Sequence, residues 1–537
     1  TPQWLRWGAQ ETYYATVAQE QPVPRVSLFE YLNSKHSAVL ATVSEAVHSL
    51  RRTDTNNTAH PPTEVVDVCV VGAGAAGLCT ALALSEKGLK VAVLESEVVG
   101  WGSSGMNGGF LLPMFALDVD EMVHGVGVAA TKRMMKEAYA AQERTVATIN
   151  KYGILCDLTN TGILTVSFFK GTGEEQAEIN EENQMLGTNQ VYLSKEQVQA
   201  DYKTKVYQHG TFEPVAYTLN PLSYMRGLAR ACEEKGVKIF ERTRATRYEA
   251  LGTATDGREG YAVYTRPNGL MKTSCPTIQG AEKSQHPPAA TTSTNEMPAM
   301  NSNSTSPLEE TQTHTATHSP RDTQPTGECV VQAQHVVLCV GPHIKAELNG
   351  QMNRALVKNY TAIVVTKPIG QERLRSLIKT DYAVCDTRCA LGYYRPLPDS
   401  RLLYGGLCSA IPFTKDDIVN ALTADLVHVY PELADVEVDF AWTGPMAWAR
   451  HEMPLYGKLD DGVYYVNGLG GDGLNGSAVG GDIIATAIAN GDDQRIALFQ
   501  DNYPVEYAYW PFGGIGTELV FRYYRVMDAL TAWRDRL

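Results

Sequence analysis

Val65-Val-Asp-Val-Cys-Val-Val-Gly72-Ala-Gly74-Ala-Ala-Gly77-Leu-Cys-Thr-Ala-Leu-Ala-Leu-Ser-Glu86 is the stretch on which the fold of this 537-residue chain turns. Its apolar opening predicts a strand over 66–71, and the Ala/Leu-rich run after the glycines predicts a helix ending at Glu86. Between them Gly72 permits a tight turn, Gly74 lets a pyrophosphate approach the backbone, and Gly77 lets helix and strand pack closely. Ala75 and Ala76 supply N–H groups at the helix N-terminus. A second predicted strand, over 90–95, ends at Glu95, about twenty residues beyond the glycines, where a carboxylate is placed to accept hydrogen bonds from a ribose. Ser96 follows it. Strand, turn, helix, strand and terminal acid together predict an α/β fold with a Rossmann-like nucleotide-binding domain. Asp67 and the glycines interrupt the apolar run over 65–84, so no membrane-spanning helix is predicted there.

Fingerprint and acid alone do not separate NAD from FAD. The next segment, Gly102-Ser-Ser-Gly-Met-Asn-Gly-Gly109, gathers the amides and hydroxyls of Ser103, Ser104, Gly105, Met106, Asn107, Gly108 and Gly109 directly after the second strand. Such a loop can wrap a long cofactor whose flavin lies beyond the first phosphate turn, which favours FAD. Near the C-terminus, Gly468-Leu-Gly-Gly-Asp-Gly-Leu-Asn-Gly476 separates a predicted strand over 462–467 from a predicted helix over 478–489. Gly471, Asp472, Gly473, Leu474 and Asn475 are therefore candidates to face the flavin ring, where amides stabilise charge developing at N1. Gly341, after the strand-like run 329–340, is a further candidate cofactor contact.

Working outward, helical spacing over 128–152, a strand over 162–168 and a charged helix over 174–185 predict a second region. An amphipathic helix over 220–235 and a strand over 236–248 then predict a return to the first domain. Residues 272–326 are rich in Thr, Ser, Pro, Asn and Gln and hold no Phe, Trp or Tyr, so they read as an insertion extending a hairpin between strands over 260–266 and 329–340. Residues 1–63 read as a surface-hugging arm. The expected domains are 64–115, 216–347 and 440–500 for the cofactor, and 116–215 with 348–439 for the substrate; 501–537 forms a tail with a helix.

Lys plus Arg total 46 against 60 Asp plus Glu, a net charge of -14, which excludes an overall basic field for nucleic acid or an anionic bilayer. The ten cysteines are scattered, and the closest pair, Cys385 and Cys389, lacks zinc-site or redox spacing, which predicts buried thiols in a reducing compartment and no metal site. A chain that starts at Thr1 is expected to have lost a targeting segment, and mitochondrial import is the expected reason.

Several ordered motifs make the chain resemble the FAD-dependent amine and amino-acid oxidases of the D-amino-acid oxidase superfamily, γ-glutamylputrescine oxidoreductase-like members in particular. They are Glu11-Thr-Tyr-Tyr-Ala-Thr, the fingerprint, Ser104-Gly-Met-Asn-Gly-Gly109, Asn220-Pro-Leu-Ser-Tyr-Met-Arg, Val336-Val-Leu-Cys-Val-Gly341, Tyr393-Tyr-Arg-Pro, Arg401-Leu-Leu-Tyr-Gly-Gly406, Trp442 to Pro454 and the loop at Gly468. The resemblance implies a second, α+β substrate domain interleaved with the first, whose large, mostly antiparallel sheet covers one flavin face. It implies FAD as cofactor and an amine or amino acid as substrate, oxidised at its C–N bond by hydride transfer to the flavin. Tyr393 and Arg395 are the candidate catalytic residues, Arg395 as a clamp on a substrate carboxylate. Two departures stand out. Relatives carry Arg where this chain has Met106 and His where it has Asp472, and both changes weaken stabilisation of negative charge on the flavin. The alternative reading is accordingly a catalytically weakened flavoprotein serving as accessory subunit of a large mitochondrial complex, with partner chains docked on the insertion.

Overall fold

The computed structural model describes residues 12–32, 34, 63–251, 260–268, 328–388, 392–508 and 513–534. The insertion expected at 272–326 lies outside the described residues, as does most of the arm.

The first sheet grows from the quoted stretch. Thr63–Val71 pairs in parallel with Val91–Leu94 on one side and with Cys329–Leu338 on the other. Lys238–Phe240 extends the parallel set beyond Val91–Leu94, and Tyr464–Asn467 extends it beyond the end of Cys329–Leu338. Parallel strands covered on both faces must be apolar throughout, which is why Val68, Cys69, Val70, Val91, Ala92 and Val93 are all buried. Gly260–Pro267 returns antiparallel against Cys329–Leu338, with Thr265 opposite Cys329, so the two strands flanking the insertion form the expected hairpin. Thr243–Leu251 pairs on its outer side.

Two helices pack on one face of this sheet, Ala75–Glu86 and Gly473–Asn490. They approach closely because their contact is made of small residues: a Cβ on Gly481 would come within 2.8 Å of the Thr80 amide. The long helix Val119–Lys151 bends at Gly127, whose φ of 81° is open to glycine. Its Met134, Ala138 and Ala141 join the same core as Leu78, Leu82 and Ile483. Residues 119–151 thus pack with the nucleotide-binding sheet, against the expected place of 116–215 in the substrate domain.

The second sheet has eight strands in the order Val438–Trp448, Val357–Thr366, Leu402–Ser409, Tyr393–Pro396, Ala383–Asp386, Ile163–Ser167, His209–Glu213 and Val191–Leu193. Every neighbouring pair is antiparallel except Ala383–Asp386 with Ile163–Ser167. Val438–Trp448 lies at its edge, so the boundary expected at 440 moves beyond Trp448. Long-range pairing overrides the local pattern there. The arm is not confined to the surface either: Tyr13 and Tyr14 are buried, and Leu28 and Leu32 enter the core on the far face of the first sheet.

Candidate active site

At the fingerprint the glycines are required by sterics. Gly72 has a φ of 107°, and a Cβ there would collide with the Cys339 carbonyl, while one on Gly77 would collide with the Gly72 carbonyl. Gly74 is different. The nearest atom to a Cβ there is Ser104 Oγ at 2.9 Å, and that hydroxyl accepts the Ala75 amide at 2.9 Å. Glu95 closes the next strand, its Oε2 accepting the Ala73 amide at 2.7 Å and its Oε1 the Glu97 amide at 2.8 Å. Burial pushes the Glu95 carboxyl above the usual carboxylate range, and these two amides oppose that rise. Ser96 donates to Glu95 Oε1 at 3.4 Å, so it steadies the acid.

The second glycine segment forms a short helix, Ser103–Met106, followed by a sharp bend. Asn107 folds back on its own loop: its Nδ2 donates to the Ser103 and Ser104 carbonyls, and its Oδ1 accepts the Gly109 amide at 2.8 Å. The loop is also tied to the second sheet. Ser103 Oγ donates to the Pro445 carbonyl, and Trp442 Nε1 donates to the Met106 carbonyl at 2.9 Å. Gly105 and Met106 are buried; the Met106 side chain packs with Tyr13, Tyr14, Leu222, Ile363 and Trp442. Met106 therefore seals the loop against the second sheet. An Arg here would have to bury its charge among apolar groups.

From the second sheet Tyr393 lays its ring 3.1 Å from where a Gly108 Cβ would stand and meets Phe110 edge-on at 5.6 Å. Burial raises its phenol pKa, against a hydrogen bond with Thr361. Arg395 is buried too, but its guanidinium points at main chain. Nε donates to the Gly108 carbonyl at 3.0 Å, and Nη2 donates to the Leu219 carbonyl at 2.9 Å and the Tyr14 hydroxyl at 3.4 Å. Through Nε and Nη2 Arg395 thus ties the sheet to the loop by way of main chain.

The third glycine loop starts the Gly473–Asn490 helix several residues earlier than its sequence pattern predicts. Asp472 occupies the N-cap position; burial, aided by repulsion from Asp118, pushes its carboxyl up to about 7. Its charge also raises the Cys385 thiol on strand Ala383–Asp386, after burial. The Leu474 side chain is buried in the core of the first sheet, which leaves its main chain in the first turn of the helix. Asn475 Nδ2 donates to the Ala138 carbonyl at 3.0 Å. Gly341 has a φ of 54° and donates its amide to Asn467 Oδ1 at 2.8 Å; Asn467 Nδ2 bonds the Leu338 carbonyl, joining two strand ends.

These residues fit FAD. A Cβ on Gly473 or Gly341 would meet no atom within 4 Å, so open space adjoins both. Beside the same loop two buried polar atoms, Trp448 Nε1 and Asn475 Oδ1, have no partner among the described residues. Sequence reasoning placed Tyr14, Trp442 and Trp448 inside motifs of the resemblance without giving them a role, and did not single out Asp118 or Asn467. Asn467 carried a local signal, as a polar residue ending an apolar strand before glycine.

The sequence profile described as FAD dependent oxidoreductase matches residues 67–266 and 305–487. The chain is 26% identical over 471 residues to the probable oxidoreductase OrdL of Haemophilus influenzae, covering 87% of this chain and 92% of that protein. It is 25% identical over 474 residues to the γ-glutamylputrescine oxidoreductase of Escherichia coli, covering 88% and 93%. Among solved structures, glycine oxidase from Geobacillus kaustophilus superposes with a TM-score of 0.56 at 16% identity over 79% of this chain and 94% of that one. L-proline dehydrogenase from P. horikoshii gives 0.57 at 15% identity, covering 82% and 98%. These two likenesses concern the fold, a parallel-containing sheet beside a large, mostly antiparallel one. The eight cysteines among the described residues form no disulfide with one another, and no described helix is long and apolar enough to cross a membrane.

Proposed function

Because the chain belongs to the FAD-dependent oxidoreductase family, with an amino-acid or amine oxidase type of fold, we propose that it oxidises the C–N bond of an amine or amino acid between its two sheets. Bound FAD supplies the acceptor of the hydride that leaves the substrate α-carbon. Gly72, Gly74, Ala75, Ala76, Gly77 and Glu95 hold its adenosine and pyrophosphate end. Ser103 to Gly109, Gly341 and Gly471 to Gly473 line the remainder. The observation that carries the proposal is the meeting of Tyr393 with Gly108: the substrate sheet touches the cofactor loop with an aromatic ring rather than with acid–base groups. Tyr393 orients the substrate and excludes water. Asp472, its carboxyl pushed up to about 7 by burial, stands at the N-cap of the helix that follows the third glycine loop.

A second reading, a flavoprotein weakened in turnover, is favoured by the burial of Met106 in apolar surroundings and by an acid at 472. One experiment separates the two. Purified yellow protein is mixed anaerobically with a panel of primary and secondary amines and amino acids, then with dithionite. Bleaching by at least one amine supports the oxidoreductase reading; bleaching by dithionite alone supports the weakened flavoprotein.

A further inference from the structure

The last described helix, Gly513–Arg534, lies beyond residue 487, where the family match ends. One face, with Thr517, Glu518, Phe521 and Tyr524, is half-buried. Glu518 anchors it by accepting the Ser409 hydroxyl at 2.8 Å and the Ala410 amide at 3.1 Å, at the end of strand Leu402–Ser409. On the opposite face Ile515, Leu519, Tyr523, Val526 and Leu530 follow at intervals of four, four, three and four and are 52 to 67% exposed. Val520 and Met527 widen the stripe, and exposed Ile411 follows the Glu518 contact. A helix needs only one apolar face to dock on its own domain. This one has a second, at the upper end of what a monomer ordinarily leaves open to water and of the size that often marks an interface.

We infer that this stripe is where two copies of the chain pair, helix against helix and antiparallel, about a two-fold axis near Tyr523. A two-fold contact requires a surface that matches itself when reversed. In antiparallel register Ile515 falls opposite Leu530 and Leu519 opposite Val526. Tyr523 then falls beside Arg522 of the second copy, whose largely exposed guanidinium can lie on the ring. Spacings of three and four keep one seam facing its mate along the helix. The stripe offers roughly 600 Å² per copy, about 1,200 Å² in all, which reaches the lower bound of stable protein interfaces. Charge disfavours a bilayer as occupant: Arg522, Arg525 and Arg534 are nearly balanced by Glu518 and Asp528, and the chain carries -14 overall.

The test is the mass of the FAD-loaded full-length protein at micromolar concentration, by sedimentation equilibrium. A dimer is expected, and Leu519→Glu with Val526→Glu should make it monomeric while flavin content and circular dichroism stay unchanged. Tyr523→Cys should give a disulfide-linked dimer under mild oxidation that the unaltered chain does not give. A monomeric parent protein overturns the inference, as does a double variant that remains folded and dimeric. Co-sedimentation of monomer with phosphatidylserine vesicles, lost in the double variant, would assign the stripe to a membrane surface and likewise overturn it.

Discussion

Asp472 and Arg395 show how a residue's surroundings decide its task. Asp472 has a folded-state pKa raised to about 7, against 3.8 in the unfolded chain, so the folded state holds an extra proton between those values. Stability from this group is complete below 3.8 and is lost as pH rises through about 7. Asp472→Asn removes the titration: its melting temperature should match the parent below pH 4 and exceed it above pH 7. A constant difference at all pH values would mean that Asp472 is not the titrating group. Arg395 leads to a second prediction. Arg395→Met leaves the Gly108 and Leu219 carbonyls without their donor, at a cost of about 2 to 5 kcal/mol. Thermal denaturation should show a lowered melting point, and flavin should be retained less well. If stability and flavin were unaffected and only the KM for carboxylate-bearing substrates rose, the substrate-clamp role would be right after all.

At the scale of elements, the hairpin of Gly260–Pro267 and Cys329–Leu338 is held by strand pairing and by its neighbour Thr63–Val71. Asn268 is docked as well, its side chain donating to the Ser96 carbonyl at 2.8 Å. Joining Asn268 to Glu328 through a short Gly/Ser turn should therefore leave the fold and flavin spectrum intact. Cutting the chain between the two strands from the 59 residues of Gly269–Gly327 to about four lowers closure entropy by about 2 kcal/mol, so the melting point should hold or rise. A melting point lowered by the deletion, read by calorimetry, would show that the removed segment stabilises the body. Legibility also varied by element. The strand and helix around Gly72 were readable because their whole logic is local: a buried parallel strand, a tight turn and a helix N-terminus. The boundary expected at 440 falls inside Val438–Trp448, because that strand's partner, Val357–Thr366, lies some eighty residues earlier and leaves no local mark.

For the whole molecule, the cofactor loops hold the sheets together: Ser103, Met106 and Gly108 of one glycine loop bond Pro445, Trp442 and Arg395 of the second sheet. FAD bound among these loops should stabilise the entire described body and not a single domain. At a hundred-fold excess over Kd that gain is about 2.7 kcal/mol, so one melting transition should move upward by several degrees on loading. Two transitions, only one of them sensitive to FAD, would show that the halves unfold separately.

By itself the sequence determined the nucleotide-binding βαβ beginning, the acid at Glu95, the three glycine loops and the FAD family, because each depends on residue types at short spacing. Tertiary structure alone decided that Arg395 ties main chain, that the Met106 and Leu474 side chains are buried in separate cores, and that Tyr14 packs beside Met106 and Arg395. Those outcomes depend on which side chains meet from segments hundreds of residues apart, as Tyr14 meets Arg395, and the desolvation that places Asp472 near 7 arises only when the chain closes around it.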